Sequence, residues 1–206
     1  RPRLLHQSLF HFVSAEGYQS AVEIPKACAW LETQALEFPV AVLSAFRIMA
    51  TEQPQKTALT AAMIAHLVLK PGAHSTESGK ASLGMRVMEH LIHMFGQDVD
   101  AHYWRNARLV LHVFVALAPL GVVSSASLRR TIKAFVDVLS SDGVSRDVAD
   151  PAADCVIEAM CRGGTDLIQP EPGALEALPS AREEMDAIVD GISRYGSQRS
   201  YAAMQL

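Results

Sequence analysis

The chain has 206 residues, with 18 Lys and Arg against 22 Asp and Glu, a formal net charge of −4, half its residues apolar and 19% charged. A chain of this length buries roughly 70% of its unfolded surface without staples, and its apolar content excludes a disordered chain. The acidic balance argues against general nucleic-acid binding through a strong basic field.

Almost every segment places apolar residues three and four positions apart, the period of a helix with one buried face. Residues 3–15, with Leu4, Leu5, Leu9, Phe12 and Val13, predict a short amphipathic helix. Gly17 to Pro25 is a breaker region, and a helix follows over 26–36 with Cys28, Trp30, Leu31 and Leu36. Pro39 suits the first turn of the next helix, which carries Val40, Val42, Leu43, Phe46 and Met49. Thr57 is a candidate cap for a helix to Leu69, with Leu59, Met63, Ile64, Leu67 and Val68 inward. Lys70-Pro71-Gly72 ends that helix, and the small, polar stretch Ala73–Gly79 reads as a loop.

Residues 80–96 predict a helix with Leu83, Val87, Met88, Leu91 and Met94 or Phe95 buried, stopped at Gly96. A long helix over 100–117 carries Tyr103, Ala107, Val110, Leu111, Phe114 and Leu117 and ends near Pro119. Ser125 or Ser127 would cap a helix bearing Leu128, Ile132, Phe135, Val136 and Leu139, which Ser140 to Gly143 stops. Another helix lies over 146–161, bent or started by Pro151, before Gly163-Gly164 breaks the chain. Residues 169–180, with three prolines and a glycine, form a connector, and a last helix over 180–195 turns Met185, Ile188, Val189 and Ile192 inward.

No stretch alternates at strand period, so the expected fold is all-α, with about eight helices in series. Short connections favour antiparallel neighbours. The pairs 38–69, 80–117 and 126–161 have the spacing of HEAT-like repeats stacked as an α-solenoid. The organisation expected is an N-terminal helix or arm over 1–25, a helical-repeat domain over 26–168, and a connector with its final helix over 169–206.

Cys28, Cys155 and Cys161 are too few for a disulfide framework and form no C-x-x-C pair, which fits a reducing compartment. The longest apolar stretch, Leu109–Val123, is broken by His112 and Pro119 and is too short to span a membrane. Leu4–Val13 is interrupted by His6, Gln7, Ser8 and His11, unlike the core of a secretory signal. The chain does not begin with Met, which reads as a piece or a processed product of a longer one.

Candidate chemistry is sparse. His90 and His93 share a helix face as metal ligands do, but the order is E-H-x-x-H, which misplaces the general-base Glu, so no metal site is assigned. Arg1, Arg3, His6 and His11 make the first residues mildly basic, a feature of a packed terminal helix or a partner-binding arm. Gly191 to Gly196 is not a nucleophile elbow, and Glu183-Glu184 beside Arg182 reads as a solvated face. No catalytic or cofactor residues are assigned. Arg105 and Arg108 share one helix face, while Arg129, Arg130 and Lys133 lie opposite the apolar stripe of the following helix. If those helices pair, the five residues edge one patch for an acidic partner or an RNA backbone. With Tyr103 and Trp104 the only aromatics near, base stacking is not indicated. Arg129→Glu with Lys133→Glu is then expected to leave folding intact, and Leu111→Asp to unfold the chain.

From Trp30-Leu31-Glu32 onward the order of features resembles a known family. The likeness runs through Val42 to Ile48 and Thr60 to Leu67, and is best at Tyr103-Trp104-Arg105-Asn106-Ala107-Arg108-Leu109-Val110 with Phe114 and Leu117. It continues at Leu120-Gly121-Val122-Val123, in Ser125–Leu139, and in Glu184-Met185-Asp186-Ala187-Ile188 with Tyr195. These residues resemble the first helical-repeat domain of the nuclear cap-binding complex large subunit, a member of the class named after the middle domain of translation initiation factor 4G. The sequence departs from that family over Val148–Cys155, where the family is rich in aromatics. The resemblance implies a nuclear scaffold, able to shuttle to the cytoplasm, without catalysis or cofactor. Its implied partners are a small RNA-recognition-motif subunit that binds the methylated cap, mRNA processing, export and decay factors, and capped RNA only indirectly, with no membrane contact. The alternatives are a related middle domain of translation initiation or nonsense-mediated decay that binds a DEAD-box helicase, and, more remotely, a metal-dependent helical enzyme using the paired histidines.

Overall fold

The computed structural model describes residues 23–70, 81–141, 143–168 and 178–203. The helix expected over 3–15, the loop 73–79 and the connector residues 169–177 lie outside the described residues. Among the described residues there are eight α-helices and no strand. They are α1 (Glu23–Glu37), α2 (Pro39–Glu52), α3 (Thr57–Leu69), α4 (Leu83–Asp100), α5 (Trp104–Leu117), α6 (Ser125–Leu139), α7 (Arg146–Gly163) and α8 (Leu178–Ala203), with 3₁₀ turns at Pro54–Lys56 and Gly164–Leu167.

Local chemistry sets most of the boundaries, and in four places it differs from the sequence reading. Pro39 opens α2 as expected, since a first-turn N–H has no helical acceptor to lose. Thr57 does not cap α3: it is the first helical residue, and its hydroxyl donates to the carbonyl of Pro54 at 2.7 Å. The cap of α6 is Ser124, ahead of both expected candidates Ser125 and Ser127, and its hydroxyl accepts from the Ser127 N–H at 3.2 Å. Gly96 does not stop α4, which runs to Asp100. A helical glycine costs about 1 kcal/mol, and the buried apolar face of α4, with Leu83, Val87, Leu91 and Met94, offsets it. α7 continues through Pro151, which withholds one backbone donor without ending the helix.

The chain divides into two compact units, Arg1–Val122 and Val123–Leu206. In the first, α2 packs on α3 and α4 on α5, and each helix of one pair also touches both helices of the other. α1 lies on α2 and α3. α3 is therefore in contact with all four other helices, and its sequence fits that place: Met63, Ile64 and Leu67 are at most 1% exposed, and Leu59, Ala61 and Ala65 are buried too. A helix apolar around most of its circumference belongs inside. Each large side chain buried there contributes about 1.5–3 kcal/mol. Gly84 lets α4 approach α3 closely, because a Cβ there would sit 2.5 Å from the Leu67 carbonyl carbon and the Val68 nitrogen.

The second unit is organised on α6, which packs on α7, on α8 and on the turn Gly164–Leu167. Leu128, Ile132, Phe135, Val136 and Leu139 are buried as the sequence predicts. From α8, Ala181, Met185 and Ile188 are buried, but Val189 is 44% exposed rather than inward. Four further residues of the expected apolar stripes are also outside: Trp30 and Leu36 of α1, Val40 in the first turn of α2 and Tyr103 ahead of α5 are 38%, 67%, 74% and 64% exposed.

Candidate functional site

The five cations singled out from the sequence separate by environment. Arg105 is exposed and Arg108 half-buried at the start of α5. Arg129 is not on a surface at all: it is 1% exposed, at the centre of the second unit. Its Nε donates to Glu184 Oε2 of α8 at 2.6 Å, and a terminal guanidinium nitrogen donates to the Leu167 carbonyl at 2.8 Å. This corrects the expectation of a solvated Arg129, and with it that of a wholly solvated Glu183-Glu184 pair, since Glu184 is half-buried against the guanidinium. The spacing carried the signal. Ser125, Arg129, Ile132 and Val136 lie along one helix face, and all four are buried.

Arg130 is exposed and reaches back to the Ala126 carbonyl, while Lys133 is paired with Asp137 at 2.9 Å on its own helix face. An exposed pair of this kind carries little energy, and it masks the lysine charge from a partner. Of the three cations singled out on α6, only Arg130 and Lys133 thus reach the surface, and Lys133 has Asp137 beside it.

Of the two histidines, His90 is half-buried and His93 exposed. Burial lowers the His90 pKa below its ordinary value, with the charges of Arg47 and His93 adding to the effect. His90 is thereby held towards its neutral form. No group of three or more His, Cys, Asp or Glu able to hold a metal occurs among the described residues. Cys28 is buried, its thiol directed at the Met63 carbonyl, and burial followed by the Glu32 carboxylate pushes its pKa to about 12. A thiol so protonated is a poor nucleophile at neutral pH.

In the second unit a polar cluster joins α7 to α8. The Tyr195 hydroxyl donates to Asp150, and Arg199 pairs with the same carboxylate. Burial raises the Tyr195 pKa, Arg146 opposes that shift and Asp154 adds to it. The phenol therefore stays protonated and acts as a donor, a fastening role.

The feature the sequence reading missed is an apolar cleft in the first unit with a volume of 340 Å³. Its walls are Ile24 and Pro25 at the start of α1, Ala62, Ala65, His66 and Leu69 along α3, and Leu120, with Lys70 at one end. The helix-period stripe Ala62, Ala65 or His66, and Leu69 was readable on α3. That Ile24 and Leu120 meet it was not, because both arrive through tertiary packing.

Among the described residues no helix is long and apolar enough to cross a membrane. No family model matches the chain, and no match to a curated protein is found.

Proposed function

We propose that this chain is a scaffold domain of the large subunit of the nuclear mRNA cap-binding complex. In this role it is not an enzyme. It supports the small RNA-recognition-motif subunit that stacks the methylated guanosine of the cap, and it presents a protein-binding surface to mRNA processing and export factors. Its contact with capped RNA is indirect and its compartment nuclear. We read its helix pairs as repeats of a HEAT-like solenoid, an architecture whose stacked units give a long, stiff face suited to holding proteins.

One observation carries the reading. The stretch that most resembles the cap-binding family, Tyr103 to Val110 with Phe114 and Leu117, begins at the residue ahead of α5 and runs along it, and its Ala107, Val110 and Leu117 are 0% exposed. The apolar part of the likeness thus packs inward, as a helix of a repeat pair would, which supports the reading, while Tyr103 and Arg105 of the same stretch are exposed.

Capture on cap resin tests the reading. The full-length protein is tagged, treated with nuclease to remove RNA bridging, and eluted with free cap analogue. Cap-dependent recovery together with one small RNA-recognition-motif protein supports it. Absence of cap-dependent recovery, with a DEAD-box helicase on the tag instead, transfers the chain to the translation or decay branch of the same class.

A further inference from the structure

α3 is covered by α1, α2, α4 and α5, yet among the described residues nothing closes over one strip of it. Ala62, Ala65, His66 and Leu69 follow each other at three- and four-residue spacing along that strip and form the cleft floor. Leu69 is 58% and Leu120 42% exposed, so two leucines from separate elements present apolar surface to the same opening. Clustered exposed apolar side chains of this kind mark interaction sites more than scattered ones do.

The cleft has the features of a groove for a helix. Ala62 and Ala65 are small enough to admit a close backbone, and the lining is apolar except at one end. There His66 and Lys70 supply the polar groups, and no Asp or Glu occurs among the described lining residues. Lys70 is exposed, as is Lys26, one position beyond the cleft wall at Pro25. Glu23, one position ahead of Ile24, offsets Lys26, so among the described residues the uncancelled charge at the rim is that of Lys70, on a chain whose net charge is negative.

We propose that this cleft docks a short amphipathic helical segment of another protein, with leucine-type anchors on one face and carboxylates flanking them. The anchors enter between Leu69, Leu120 and Ile24, the helix-in-groove mode of peptide recognition. The carboxylates meet Lys70 and His66. At such an exposed rim, charge sets orientation and partner choice more than it sets affinity. Docking here does not depend on the cap-binding reading, and the two fail separately, one by peptide titration of this chain and the other by cap capture of the full-length protein.

The test is fluorescence anisotropy with two labelled, end-capped peptides of about twelve residues, enough for the anchors of this mode. Both carry leucines on one helical face; one has glutamates on the other face and its counterpart has lysines. The glutamate peptide is expected to bind with a micromolar Kd and the lysine peptide at least about tenfold more weakly. Leu69→Glu should abolish binding with an unchanged melting temperature, because Leu69 is exposed; Leu120→Glu serves as the second variant if the first melts low. Lys70→Glu should weaken the glutamate peptide roughly three- to tenfold. Equal binding of both peptides, binding retained in folded Leu69→Glu or Leu120→Glu, or no binding of the glutamate peptide overturns the proposal.

Discussion

The two units solve the same problem with different chemistry. In Arg1–Val122 the central helix, α3, is almost wholly apolar, and four neighbours close on it with Gly84 removing the last obstacle to contact. In Val123–Leu206 the central helix, α6, is amphipathic, and a buried Arg129 secures the turn at Leu167 and the helix bearing Glu184. Apolar burial is non-directional and tolerates repacking of similar volume. A buried guanidinium accepts only partners at fixed positions, and losing one leaves a charge in low dielectric. The first unit should therefore be sensitive to volume and polarity, the second to the identity of a few polar residues.

Substitutions can break that contrast, beginning with the most severe. Leu111→Asp places a carboxylate at a 0% exposed position of α5 and is expected to abolish cooperative folding, read as loss of the thermal transition by circular dichroism. A soluble, native-like Leu111→Asp protein would mean that the first unit is not held by its apolar face. Gly84→Ala should cost about 3 kcal/mol, because the added methyl meets α3 backbone rather than a movable side chain. A melting temperature equal to the parent's would refute close contact of α3 and α4.

Arg129→Glu should cost about 3–5 kcal/mol in denaturant titrations, because it breaks the pair and also leaves a carboxylate at a 1% exposed position facing two acceptors, Glu184 and the Leu167 carbonyl. This reverses the expectation drawn from sequence that Arg129→Glu with Lys133→Glu is harmless. Lys133→Glu alone supplies the control and should stay within about 0.5 kcal/mol, the range of surface changes. If the two single variants destabilise equally, the second unit is not pinned at Arg129.

A smaller effect separates pH response from packing. The ordinary His90 pKa is 6.5 and the folded value lies below it, so between the two the unfolded chain binds more protons. Stability contributed by neutral His90 is fully present above 6.5 and declines as pH falls towards the folded value. Titrations of stability from pH 7 to pH 5 should therefore show a shallower decline for His90→Gln than for the parent. Parallel curves would place the proton uptake elsewhere.

Much of the fold is legible in the sequence because helical periodicity is a local property. The stripe Leu83, Val87, Met88, Leu91 and Met94 could be read directly, and all five side chains are buried. Val40 and Tyr103 misled because both stand at helix beginnings, where the apolar period continues before a neighbouring helix is there to receive it. Arg129 misled for the opposite reason: its charge suggested solvent, although its register with Ile132 and Val136 placed it inward. Its partner Glu184 lies in a different helix, beyond a proline-rich stretch, and no local pattern links the two. The cleft was illegible on the same grounds, since Ile24, Leu69 and Leu120 come together only when the first unit is folded.

Arg129 grips the chain on both sides of residues 169–177: Leu167 before them and Glu184 after them. Covalent continuity through that stretch is therefore duplicated by a noncovalent tie. Evolution can lengthen or shorten the intervening segment at little cost, since loop-closure entropy grows only slowly with length. A single cut there should leave α8 seated on α6, so the second unit is a natural place to divide the protein into two fragments that reassemble when mixed.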